Sequence, residues 1–130
     1  MSTTTNGAEY PYLERRAGSS YRQLFVKGTR IRAEILYDLT IPKEDGFVMT
    51  PEEIAADFRI PVEAVRDAVR YCESDPVEIR MDHRAADLLF EAMGANDPDY
   101  ATNPAKHRGV LPLGTRRRID EQIEREFGRR

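Results

Sequence analysis

Cysteine is nearly absent: Cys72 is the only one in 130 residues. An internal disulfide is therefore excluded, which suits a reducing compartment. Long apolar runs are missing too. None approaches the ~20 residues that cross a bilayer, so no membrane partner is expected. The opening MSTTTNGAEYP has neither the basic start nor the apolar stretch of a secretory signal, and the expected location is the cytoplasm. There is no basic excess either. With 20 Lys/Arg against 23 Asp/Glu, the net charge is −3, which argues against indiscriminate binding to nucleic acid. No serine or cysteine sits in a nucleophile motif, and no internal repeat is visible. The chain is read as a non-enzyme with no catalytic residue and no cofactor.

What remains suits one mainly α-helical domain with tails, 40% hydrophobic and 33% charged. The most informative stretch is MTPEEIAADFRIPVEAVRDAVRY, from Met49 to Tyr71. Thr50 is placed to cap a helix, Pro51 suits its first position, and Glu53 completes a capping box. Ile54, Ala55 and Phe58 mark the inner face. Arg59-Ile60 makes the turn, where glycine is common, and Pro61 opens a second helix running to about Glu73. Val62, Val65, Ala68, Val69 and Cys72 give that helix an inner stripe. Two short helices and a tight turn form a helix-turn-helix pattern.

Around this pair the chain divides into four parts. Residues 1–9 read as a disordered tail. Residues 10–76 hold a hairpin and the helix-turn-helix. The hairpin strands are expected at Tyr10–Arg16 and Tyr21–Val26, turned by Ala17-Gly18-Ser19-Ser20. A first helix is expected over Arg32–Leu39, with Ile31, Ile35, Leu36 and Leu39 apolar. The loop Thr40–Val48 is expected to pack Ile41 and Phe47 on the core. Residues 77–94 carry an added helix, expected over Asp82–Met93 and ended by Gly94. Residues 95–130 form an extended arm and a last helix capped by Thr115. From Lys106 to Arg130 there are eight Lys/Arg against four acids, so this quarter is cationic.

Several residues are candidates for function. On the helix after Pro61, the outward residues are read as Glu63, Ala64, Arg66, Asp67 and Arg70. Glu63, Arg66, Asp67 and Arg70 are the candidate DNA contacts, the arginines to base edges or phosphates. The alternative is that this face is solvated or meets protein. The last helix repeats Ile119, Ile123 and Phe127 every four residues, a stripe that demands burial. With Arg116, Arg117 and Arg118 these are the candidate partner-binding residues. The alternatives are a helix folded back on its own domain, or a dimer clasp. Lys27-Gly28-Thr29-Arg30 lacks the remaining elements of a nucleotide-binding loop and reads as a turn needing positive φ at Gly28. His83 and Asp87 have metal-ligand spacing but no third ligand, so no metal site is expected.

The segments LFVKGTRIRAEILYDL and MTPEEIAADFRIPVEAVRDAVRY resemble a bacterial and archaeal family known as domain of unknown function 433. The resemblance rests on Lys27–Ile31, Pro51–Ile54, and Ala68 with Tyr71, and covers about Tyr21–Cys72. It implies a homeodomain-like trihelical fold and an antitoxin that binds its own promoter as a homodimer. The partner it implies is a PIN-like nuclease toxin, whose metal-binding carboxylates an arginine of the C-terminal arm would meet. The expected function is thus an antitoxin-like DNA-binding protein. The alternative is a protein-interaction module on the same fold that binds no DNA.

Overall fold

The computed structural model of the chain describes residues 9–94, 98 and 113–128. Among these it has five helices and one two-stranded antiparallel sheet, so the mainly helical class is as expected. The chain divides into two units, residues 1–80 and 81–130.

The first unit begins at the hairpin. Strands β1 (Leu13–Glu14) and β2 (Phe25–Val26) pair Leu13 with Val26 and Glu14 with Phe25. The ladder is much shorter than the expected strands, because Ala17–Ser20 and the irregular approach to Leu24 use up the intervening residues. The turn itself is as read: Ser19 N–H bonds Arg16 C=O, and Gly18 has φ of 84°. Lys27–Ile31 also forms a turn. Thr29 Oγ1 donates to Val26 C=O and accepts from Ile31 N–H, at 2.8 and 3.0 Å. Gly28, at φ of 73°, donates its N–H to Glu14.

Helix α1 (Ala33–Leu39) buries Ala33 and Leu36. Ile35, expected inward, is exposed, because the short helix turns one narrow face to the core. Arg32 at its start supplies no side-chain cap. The buried Gln23 does this instead, accepting from Glu34 N–H at 3.1 Å. The loop after α1 stands away from the core: Ile41, Phe47 and Val48 are exposed. It closes on itself, with Lys43 N–H bonded to Phe47 C=O and Lys43 Nζ held by the carbonyls of Asp38 and Ile41.

Helix α2 (Pro51–Phe58) starts as the sequence dictates. Glu53 N–H donates to Thr50 Oγ1 at 3.1 Å, and Thr50 N–H donates to Glu53 at 2.9 Å. It ends at Arg59, left-handed with φ of 58° and ψ of 49°. Helix α3 (Val62–Glu73) follows Pro61. Both α1 and α2 pack on α3. Their core contains Leu13, Leu24, Leu36, Ile54, Val65, Ala68 and Tyr71, with Val62 and Cys72 against its edge. Asp75, at φ of 56°, breaks the chain before Pro76. Helix α4 (Val77–Ala92) then begins five residues earlier than expected. Proline suits a helix start, and the first turn of α4 sends Glu78 and Ile79 into the first unit's core region.

In the second unit, α4 ends at Gly94, with φ of 81° and its N–H on Glu91 C=O. Helix α5 (Thr115–Phe127) is capped by Gly114 at φ of 85°, not by Thr115, which lies buried inside the first turn. The N-terminal tail through Ala8, most of the expected arm at 95–114, and Arg129 and Arg130 lie outside the described residues.

Candidate functional site

The outer face of α3 is narrower than its sequence suggests. Glu63, Arg66, Arg70 and Glu73 are exposed, but Ala64 and Asp67, expected beside them, are buried. The reason lies in the segment before β1. Tyr12 N–H donates to Asp67 Oδ2 at 3.1 Å. Arg70 donates to Asp67 Oδ1 at 2.7 Å, and its guanidinium lies 5.0 Å from the centre of the Tyr10 ring. Tyr10 meets Tyr71 edge to face, with centroids 5.4 Å apart. Asp67 is thus a fastener between α3 and the incoming chain. Both its oxygens are engaged, so it is withdrawn from any base edge.

Three of the four candidate DNA contacts remain on one stripe. Arg66 pairs with Glu52 of α2 at 2.7 Å, and both side chains are more than half exposed. Such a pair contributes only about 0–1 kcal/mol, so a phosphate can displace it. The stripe carries two arginines and two glutamates, and brings no net charge to a partner.

Beneath it sits a buried polar pair. Tyr71 accepts from Leu24 N–H at 3.2 Å and donates to Glu78 Oε2 at 2.8 Å. Burial first, then the Glu78 carboxylate, pushes the phenol well above its ordinary range. The Cys72 thiol is pushed up to about 12 by burial and, less strongly, by Glu34, Asp38 and Glu73. A thiol held so far from its thiolate is a poor nucleophile, in keeping with its place at the core edge. Among the described residues no group of three or more His, Cys, Asp or Glu could hold a metal ion. His83 is exposed on α4.

The partner-binding candidates divide. Arg116, Arg117 and Arg118 are exposed at the start of α5. Ile123 is fully buried, while Ile119 and Phe127 are half-buried. The stripe is thus unevenly covered, with Ile123 the most enclosed of the three. Arg84 of α4 forks onto Glu126 of α5, at 3.0 and 3.2 Å. Arg84, with help from Gln122, holds the Glu126 carboxyl below its usual range. Between the helices lies an open cleft of about 440 Å³, lined by Leu88, Ala92, Thr115, Ile119 and Gln122 and edged by Arg118 and Arg125.

No family model matches the chain, nor does any curated protein or solved structure. The residues on which the resemblance rests have structural roles in the first unit. Thr29 ties its turn, Pro51 and Ile54 start and anchor α2, and Ala68 and Tyr71 are core.

From Arg15 to Arg32 there are six cations, Arg15, Arg16, Arg22, Lys27, Arg30 and Arg32, and no carboxylate. A charge count over this window alone would have found it; the acidic total conceals it. Asp67 and Gln23 carried no such signal, since each also accepts from a backbone N–H of a separate segment, Tyr12 and Glu34.

Proposed function

We propose that the chain is an antitoxin-like, non-catalytic and homodimeric protein of a toxin–antitoxin pair. Its first unit is read as a homeodomain-like helix-turn-helix that binds the promoter of its own gene. Its second unit is read as the part that takes a PIN-like nuclease. The observation behind this is the α2–α3 pair: a capped eight-residue helix, a left-handed turn at Arg59, and a twelve-residue helix on which α1 also packs. Arg66 and Arg70 are the DNA-contacting residues in this reading, with Glu63 beside them and Asp67 holding the helix in place. In the second unit, Arg116, Arg117 and Arg118 with the half-buried Ile119 and Phe127 face the toxin, and Ile123 anchors α5.

The narrow, neutral stripe on α3 favours a second reading, a protein-interaction module on the same scaffold with no DNA contact. Co-expression with the gene adjacent to its own tests the toxin half. The first reading expects growth arrest by that gene alone and rescue by this chain, weakened by replacing Arg116, Arg117 and Arg118 together with Ala. Rescue undiminished by that change would remove the assigned toxin-binding face. Absence of arrest would remove the toxin.

A further inference from the structure

The acid-free run from Arg15 to Arg32 folds so that three of its arginines converge. Arg16, Arg30 and Arg32 line one open cleft of about 370 Å³, together with Gly18, Ser19 and Tyr21. Tyr21 is 43% exposed. The Arg32 guanidinium lies 4.1 Å from the centre of its ring, and Phe25 braces that ring edge to face at 6.4 Å. Arg16 is fixed by a bond from its guanidinium to Thr29 C=O at 3.1 Å. Arg32 also lies 3.8 Å from the Glu34 carboxylate. Arg15 and Lys27, also exposed, extend the positive field along the same hairpin.

We propose that this cleft binds single-stranded nucleic acid, its arginines taking successive phosphates and the Tyr21–Arg32 pair stacking a base. Three features point to this class. Cations following a short stretch of backbone match a repeating phosphodiester. An exposed ring beside a guanidinium gives a base a planar platform, which an acidic peptide cannot use. The cleft is too open to enclose a small phosphate ligand on most sides, as small-molecule sites do. In a chain of net charge −3 this field is local, so binding depends on these residues and not on a general cationic surface. The site is separate from the α3 stripe, and the inference does not rest on promoter binding.

The test uses the full chain and a labelled oligothymidylate of about 12 nucleotides, with anisotropy read across a salt series. Three phosphate contacts predict a slope of about −2 in log affinity against log salt, or roughly 20-fold weaker binding between about 50 and 200 mM. Tyr21→Ala is expected to weaken binding at least about fivefold, with Tyr21→Phe close to wild type. Arg30→Glu is expected to weaken binding further and flatten the slope. Both side chains are exposed, so thermal melts should match wild type. Arg66→Ala with Arg70→Ala should leave oligothymidylate binding intact. The proposal is overturned if the wild type does not bind, if Tyr21→Ala and Arg30→Glu bind as wild type does, if a duplex of equal length binds more tightly, or if polyglutamate competes as well as unlabelled oligothymidylate. Retained oligothymidylate binding with no promoter binding would sink the promoter reading and leave this one standing.

Discussion

Tyr71 shows how one side chain ties distant segments together. Its hydroxyl accepts from the backbone of Leu24 and donates to Glu78, both in buried surroundings. Tyr71→Phe keeps the ring and its contact with Tyr10, but leaves two buried groups short of a partner. The expected loss is about 1–3 kcal/mol of unfolding free energy, read by urea titration. A change within error would mean that water satisfies both groups. Cys72, next along the helix, offers a chemical readout. With its thiol at about 12, alkylation by iodoacetamide at neutral pH should be slow in the folded chain and fast in urea. Equal rates would show that the thiol is neither buried nor raised.

The α2–turn–α3 pair was largely legible because local chemistry dictates it. The Thr50–Glu53 capping box, Pro51 and Pro61 act within a few residues, and the structure has all of them in place. Thr50→Ala should cost about 1 kcal/mol. Arg59→Gly should be neutral or stabilising by up to about 1 kcal/mol, since a left-handed residue with a β-carbon carries a penalty glycine lacks. Chemical denaturation of the two variants checks both, and a marked loss in Arg59→Gly would assign that side chain a role beyond the turn. Legibility failed where partners were far apart in sequence. Asp67 looked outward by helical spacing, yet Tyr12, 55 residues away, draws it in. Ile41 and Phe47 looked like core by composition, yet the loop's own hydrogen bonds hold it clear. The even spacing of the α5 stripe does not distinguish its members, yet Ile123 is buried while Ile119 and Phe127 are half-buried.

At the scale of the whole molecule, two units carry different loads. The first holds the larger apolar core. In the second, the fork from Arg84 to Glu126 links α4 and α5 in partly exposed surroundings, and it carries a pH signature. Because the folded Glu126 carboxyl lies below its ordinary range, the pairing is fully stabilising above that range and fades as pH falls through the lowered value. Amide shifts of α5 followed by NMR should therefore show a step in acid below the ordinary carboxylate range, and Glu126→Gln should abolish that low-pH step. A low-pH step that survives in the variant would assign it elsewhere. No helix among the described residues is long and apolar enough to cross a membrane. The central proposal is promoter binding through α3. Its most direct test is a gel shift at fixed salt, with DNA from upstream of the gene against scrambled DNA of equal length. The expected result is preferential binding to the upstream DNA, lost in Arg66→Ala with Arg70→Ala while the fold is retained. Equal affinity for both DNAs, or preference undiminished in the double variant, would contradict it.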